Sequence, residues 1–326
     1  MKNHISLFIF AIALLSGPVS ANDLSMTAVK DTLASIPGEH NYIYVRTPLG
    51  EDEEKNYDEI TFYDGLGREL DFAQSYGADR AGAIMAHHHL IEYDSLGRKE
   101  KQWLSTNTSF SYMSPEDLKG GVLWDYHDAG KRSYLQTNYE SSPLNRITEQ
   151  YGVGDAWGDH PARMEYLTNI PADSLRCSFY FIDDNDSLIR RGDYRSGELQ
   201  VTKATDEDGK PTYTFVDKQG RTLLTRLGRG NQQADTYFVF DRFGRIRYVL
   251  PPMINDEISA GNLDLYAYQY LYDSFGRCIS KKLPGCAAIG YVYDKADRVI
   301  LSQNGNQSQK KEWTFTFYDN QGRLAL

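Results

Sequence analysis

One device recurs along this 326-residue chain and restricts its fold more than any other feature. An alternating apolar run ends in an aromatic; an Asp, two variable residues, a Gly and an Arg follow. It reads FYDGLGREL from Phe62, EYDSLGRKE from Glu92, FVDKQGRTL from Phe215, VFDRFGRIR from Val239, LYDSFGRCI from Leu271, VYDKADRVI from Val292 and FYDNQGRLA from Phe317. Looser copies are WDYHDAGKRSY from Trp124 and NYESSPLNRIT from Asn138. The aspartates of the last five clear copies are 24, 32, 21 and 25 residues apart, a spacing that suits one supersecondary unit per copy.

The mechanics of a hairpin turn account for each position. Asp64, Asp94, Asp217, Asp241, Asp273, Asp294 and Asp319 open the turn, their carboxylates accepting from backbone N–H groups two residues on. Gly67, Gly97, Gly220, Gly244, Gly276 and Gly322 supply the positive φ that a hairpin of this loop length needs. Asp297 takes that place in one clear copy and Asn145 in a loose one, and these residue types tolerate the left-handed region best. Arg68, Arg98, Arg221, Arg245, Arg277, Arg298 and Arg323 start the return strands and pair loosely with the Asp, an exposed contact worth ~0–1 kcal/mol. A catalytic motif has no reason to replace Gly only by Asn or Asp, so the device is a turn.

The flanking segments agree. Trp313, Phe315 and Phe317 alternate with Thr314, Thr316 and Tyr318, and Tyr237 and Val239 with Phe238 and Phe240. Period two with aromatic and β-branched residues predicts an all-β chain of consecutive antiparallel hairpins in a curved or spiral sheet, with few short helices. One helix is expected from Ser114-Pro115-Glu116-Asp117 to Gly120-Gly121, another within 255–263. Segments 51–56 and 77–83 read as loops. Residues 150–200 are least regular, which places a boundary near residue 200 between an N-terminal region (22–200) and a hairpin array (201–326).

Residues 1–21 read as a signal peptide. Lys2 and His4 precede an eleven-residue apolar run from Ile5 to Leu15, and Val19-Ser20-Ala21 offers a cleavage site. The run is too short for a bilayer of ~30 Å, and no later segment is apolar for long enough to cross one as a helix. Export through a cleaved signal to the periplasm, cell surface or medium is expected. A formal net charge of −10 argues against nucleic-acid binding, because nothing would neutralise the polyanion.

Other candidates weigh less. Tyr266, Tyr268, Tyr270 and Tyr272 alternate and offer a stripe on which sugar rings could stack, against the plainer reading of packing between strands. In His87-His88-His89 the outer two share a strand face, and a solvated strand entrance outweighs a metal site lacking a third ligand. Asp183-Asp184-Asn185-Asp186-Ser187 has the opening spacing of a calcium loop, but Leu188 and Tyr194 stand where Gly and Glu are required, so an acidic hairpin tip is favoured. Asp206-Glu207-Asp208-Gly209 is another tip. Cys278 and Cys286 flank a turn that a disulfide could close, although buried free thiols are the commoner state. No zinc set, dinucleotide fingerprint, nucleophile elbow or phosphate loop is present in the sequence, so no cofactor or metal is expected.

The hairpin strings resemble the YD repeats of the Rhs/teneurin-like family. Longer strings look like the N-terminal region of Bacteroidetes-type Rhs proteins, a domain of unknown function: YESSPLNRITEQYGVGDAW from Tyr139, TDEDGKPTYTFVDKQGR from Thr205, YFVFDRFGRIRYVLPP from Tyr237 and KKLPGCAAIGYVYDKADRVILSQNGNQ from Lys281. The resemblance implies a spiral β-sheet closing into a hollow shell around a C-terminal effector released by self-cleavage. The self-cleavage core motif and the effector are not found, so the sequence reads as the opening section of such a shell, ending before both. The function it implies is structural and non-enzymatic: enclosing or presenting a partner, with a downstream shell or effector chain as the expected partner. Glycan binding at the cell surface, through aromatic strand faces, is the alternative.

Overall fold

The computed structural model describes Ile36 and residues 40–48, 56–78, 84–127, 130–228, 233–254 and 257–325. The expected signal peptide lies outside the described residues, as do most of the loop expected at 51–56, residues 79–83 and residues 255–256. The chain divides into two units, residues 1–162 and 163–326.

The first unit is a run of antiparallel strands: β1 (Asn41–Pro48), β2 (Asn56–Tyr63), β3 (Glu69–Ala78), β4 (Ile84–Tyr93), β5 (Lys99–Trp103), β6 (Thr106–Ser109), β7 (Tyr134–Tyr139) and β8 (Ile147–Tyr151). β1 to β4 pair in order; the first half of β4 then pairs with β6 and its second half with β5, which passes to β7 and β8. Ile60, Phe62, Ala73, Ala86 and Phe110 form its apolar core. Helix α1 (Pro115–Asp125) starts at the Ser114 cap as its sequence predicts, but runs through Gly120-Gly121 instead of ending there. A Cβ on Gly121 would meet Thr106 Oγ1 at 2.7 Å, so this glycine lets the helix approach β6. Trp124 and Asp125 lie in α1, so that looser copy of the repeat begins as helix, not as strand.

The second unit begins with β9 (Ala162–Thr168) and a separate hairpin, β10 (Ser178–Ile182) with β11 (Leu188–Asp193). β12 (Gln200–Thr205), β13 (Pro211–Val216), β14 (Thr222–Leu227), β15 (Ala234–Phe240) and β16 (Ile246–Leu250) follow in order, with β9 on the outer side of β12. Helix α2 (Ala260–Tyr266) leads to β17 (Tyr268–Tyr272), β18 (Cys278–Lys282), β19 (Ile289–Tyr293), β20 (Val299–Gln303), helix α3 (Gly305–Lys310) and the short β21 (Thr314–Phe315). Pairing continues in sequence to β21. Because β9 registers Leu167 against Val201, residues 163–200 go with the hairpin array, and the division falls earlier than the boundary expected near residue 200. The fold is all-β, with every named strand pair antiparallel.

Register places Val201, Phe215, Leu224, Tyr237, Val239 and Leu250 on one face of this sheet. Residues 169–199 cover them, and Phe215 is 0 % and Val239 2 % exposed. Two arginines hold the cover. Buried Arg226 grips Asp235 with two nitrogens at 2.7 and 2.6 Å and donates to the carbonyls of Ser174 and Arg176. Arg247 clasps Asp186 at the β10–β11 tip. The same face continues through Gln269, Leu271, Ser280, Gly290, Val292, Leu301 and Phe315. There Leu271 is 43 % exposed, Val292 40 % and Phe317, two residues beyond Phe315, 53 %.

Candidate functional site: an arginine ladder along the hairpin tips

All seven clear copies of the repeat are hairpin tips. At each, the Asp N–H donates to the Arg carbonyl and the tip residue at Gly or Asp297 donates back to the Asp carbonyl. One carboxylate oxygen accepts the Arg backbone N–H and, from the residue two after Asp, a second N–H. The other accepts Nε of Arg at 2.7–2.8 Å in every copy. The tip glycines have φ between +77° and +87°, Asp297 +60° and Asn145 +55°. At six of the seven tips the strand register slips by one beside the residue before Asp, as a left-handed bulge requires.

These contacts hold the carboxylates below their ordinary range. At Asp64, Asp294 and Asp319 the backbone hydrogen bond from the Arg is the largest cause. At Asp94, Asp217, Asp241 and Asp273 burial is the largest influence and pushes upward, and the backbone and side-chain bonds from Arg together overcome it. In the looser copy Glu140 takes the Asp place, and two hydrogen bonds from Arg146, with one from Ser142, bring it down to about 2.

The arginine was expected to pair loosely with its own Asp, and the aromatic before Asp to fill space. Both do more. Six of the seven guanidiniums lie over the aromatic that precedes the acid of the next tip along the same edge: Arg68 over Tyr93 at 4.5 Å, Arg98 over Tyr139 at 4.6 Å, Arg221 over Phe240 at 5.1 Å, Arg245 over Tyr272 at 4.7 Å, Arg277 over Tyr293 at 5.0 Å and Arg298 over Tyr318 at 4.9 Å. The tyrosine hydroxyl returns the contact, donating to the carbonyl just after the preceding arginine: Tyr93 to Glu69, Tyr139 to Lys99, Tyr272 to Ile246, Tyr293 to Cys278 and Tyr318 to Val299. Arg98, Arg245 and Arg277 also donate Nη1 to the carbonyl of the next tip's acid. The pairing of Tyr with Asp in the repeat is therefore a coupling device between successive hairpins.

The next tip's glycine receives the arriving arginine. A Cβ on Gly97 would meet Arg68 Nη1 at 3.0 Å, while Gly67 and Gly220, which open their series, have nothing within 4 Å. Where Asp297 replaces glycine, its carboxylate takes Arg277 Nη1 at 2.8 Å, so the replacement adds an ion pair to the rung.

The tyrosine stripe is broken. Tyr266 ends helix α2 and packs on the core, and buried Ala267 separates it from β17. Tyr268, Tyr270 and Tyr272 share a strand face, but Tyr272 is a ladder rung beneath Arg245. The histidine cluster is not a solvated entrance. His88 is buried, with Nδ1 at 2.7 Å from Asp71 and Nε2 at 3.0 Å from the Ser109 carbonyl. Asp183 caps its own turn through Asn185 and Ser187, and Asp206 does so through Lys210, so both are hairpin tips. All three cysteines are free; Cys177 is buried, but Cys286 is exposed, against the expectation of buried thiols. Burial pushes the Cys177 thiol well above its ordinary value.

A groove of about 690 Å³ runs between the β10–β11 tip and the Asp241 and Asp273 tips, beside exposed Phe243 and Phe275. Five carboxylates line it; Asp183, Asp186, Asp241 and Asp273 are engaged in turn or clasp contacts, and Asp184 is the fifth. The arginine clasps were not foreseen. Arg226 and Arg247 sit in strands that look like any others in the array, and no local signal marks them.

Residues 41–168 match a family model described as a domain of unknown function (DUF6443). No curated protein matches the sequence. Among solved structures, the fold is similar to that of TcdB2-TccC3, with a TM-score of 0.55 at 14 % identity over 87 % of this chain. It is similar also to TcdB2-TccC3-Cdc42, at TM-score 0.56 and 14 % identity, again over 87 % of this chain. The Photorhabdus luminescens Tc holotoxin pore matches at TM-score 0.55 and 13 % identity over 87 % of this chain. The chain spans 13 % of the length of each of these three chains. The likeness to these three structures is one of fold.

Proposed function

We propose that this chain is an exported, non-enzymatic section of an Rhs-like β-shell wall, of the Bacteroidetes type, that encloses or presents a partner or effector polypeptide. One observation carries the reading: a single sheet face is sealed by its own chain over β12–β16 and left bare over β17–β21, while tip-to-tip rungs run through both. Along the groove beside the Asp241 and Asp273 tips, Asp183, Asp186, Asp241 and Asp273 serve turns and clasps. The fold likeness to TcdB2-TccC3 supports a shell role. Among the described residues no helix is long and apolar enough to cross a membrane.

Binding of an apolar fluorescent dye to the exported chain, residues 22–326, tests the reading. A bare wall predicts strong binding that falls with Leu271→Ser and Val292→Ser while the strand signature in circular dichroism persists. Dye binding that is absent, or unmoved by both changes, contradicts it. Fractionation of producing cells tests export: the chain is expected outside the cytoplasm with Asn22 at its N-terminus, and a cytoplasmic chain beginning at Met1 refutes that part.

A further inference from the structure

Three arginines of this chain grip a carboxylate side-on, through Nε and Nη2. Arg46 holds Asp58 at 2.6 and 2.9 Å, Arg146 holds Glu140 at 2.7 and 2.6 Å, and Arg226 holds Asp235 at 2.7 and 2.6 Å. Arg132, just before β7, presents the same edge to no carboxylate. Among the described residues its buried Nε has no hydrogen-bond partner, and Nη2 reaches the Gln136 amide oxygen at a long 3.4 Å. Native folds seldom leave a buried N–H without an acceptor, because its lost hydration is not repaid. The residue is nevertheless firmly placed. Asp155 accepts the backbone N–H groups of Lys131 and Arg132, and the Gly154 N–H donates to the Arg132 carbonyl at 2.7 Å. The guanidinium lies over Tyr151 at 5.1 Å and Tyr134 at 5.4 Å. Lys101 also lies over Tyr134, at 5.3 Å, and Lys119 over Trp103, at 5.8 Å. Both lysines are answered by Glu92. Asp155 serves backbone, and Glu149 on β8 is held by Asn138 and the Tyr151 hydroxyl, so the guanidinium charge is left uncompensated.

We propose that Arg132 is a carboxylate-recognition site, and that its occupant is an aspartate or glutamate in an acidic segment of a partner polypeptide. Gln136 is the group that gives way. Its amide oxygen stands where a carboxylate oxygen would, and a charged acceptor there makes a shorter and stronger bond. Gln136 keeps a second contact when it leaves, since its Nε2 donates to Asn138 at 3.0 Å. Two observations choose a polypeptide over an acidic sugar. Tyr134, Tyr151 and Trp103 already carry cations on their rings, so they steady the charges where a sugar would need to stack. The filled side-on grips of this chain hold aspartate or glutamate side chains, which fixes the geometry an incoming residue has to match. The choice of occupant rests on the wall reading, in which the chain encloses or presents a polypeptide.

The test is fluorescence anisotropy of a fluorescein-labelled octaglutamate peptide with the exported chain, residues 22–326. Binding should weaken about tenfold with Arg132→Gln. Arg132→Lys should weaken it nearly as much, because an ammonium keeps the charge and loses the side-on pair of donors. Gln136→Ala clears the edge without touching the arginine and should tighten binding about threefold. Lys131→Gln, a neighbouring charge on an exposed residue, should leave it within about twofold. An octaglutamine peptide should not bind. Binding indifferent to Arg132→Gln, binding weakened by Gln136→Ala, or no binding at all overturns the site. Arg132-dependent binding of trigalacturonate, with none of octaglutamate, overturns the choice of a polypeptide. None of these results touches the dye measurement at Leu271 and Val292, which decides the wall reading independently.

Discussion

The two halves of the second unit's sheet share a face, a register and a tip chemistry, and differ in what lies on that face. Over β12–β16 the chain folds back on itself, and Phe215, Leu224, Val239 and Leu250 disappear beneath residues 169–199. Over β17–β21 the same columns hold Leu271, Val292, Phe315 and Phe317, all substantially exposed, interleaved with Gln269, Ser280 and Gly290. Burial at ~25 cal/mol per Å² stabilises the first half. The second must be held by strand pairing and by the tips. The difference teaches that the repeat's punctuation is a load shared from tip to tip, each hairpin touching only its neighbours as in other repeat arrays.

The largest test removes a covered ring. Phe215→Ala, at a fully buried position, is expected to destabilise the chain by about 3–5 kcal/mol in urea unfolding, and Phe317→Ala by less than ~0.5 kcal/mol. Equal losses would erase the distinction between the halves. Next come the tip glycines. Gly220→Ala in the covered half and Gly276→Ala in the bare half sit at φ +79° and +87°, and each should cost about 1–2 kcal/mol. A cost confined to one half would show that the tips depend on the cover.

A smaller effect comes from the rung hydroxyl. Tyr272→Phe should cost about 0.5–1.5 kcal/mol, because it deletes the bond to the Ile246 carbonyl while the ring stays under Arg245. Phe240 is the one rung with no hydroxyl to donate, and Phe240→Tyr should gain a fraction of that amount through the Thr222 carbonyl. The smallest effect appears in acid. The tip carboxylates are depressed in the folded chain, so their contribution is fully present above the ordinary aspartate value of about 3.9 and is lost as pH falls through the depressed values. Hydrogen exchange below about pH 4 should therefore open β17–β21 before β12–β16. The reverse order would mean that the cover, not the tips, titrates.

Much of this was legible in the sequence, because turn chemistry is local. Asp, Gly and Arg of every clear copy fall where the pattern puts them, and Asp297 and Asn145 adopt the left-handed region their residue types allow. The ladder was not legible. Arg98 meets Glu140 across 42 positions and Arg277 meets Asp294 across 17, and no fixed offset announces them. Tyr266 continues an unbroken period of two, yet the Ser259 cap starts a helix that takes it in, and the extended backbone of buried Ala267 ends that helix before the strand begins at Tyr268. His88 sits among histidines that look solvated, and only the register of β3 and β4 reveals Asp71 beside it. The seal over one half and not the other depends on where residues 169–199 return, which periodicity does not encode.

The central claim is that arginine and tyrosine couple successive tips. A double-mutant cycle at Arg245 and Tyr272, with Arg245→Gln, Tyr272→Leu and the pair measured by urea unfolding, tests it most directly. The ladder predicts a coupling of about 0.5–1 kcal/mol between two residues 27 positions apart in the chain. Losses that simply add, within ~0.3 kcal/mol, would mean that each hairpin stands alone and that the ladder is a coincidence of packing.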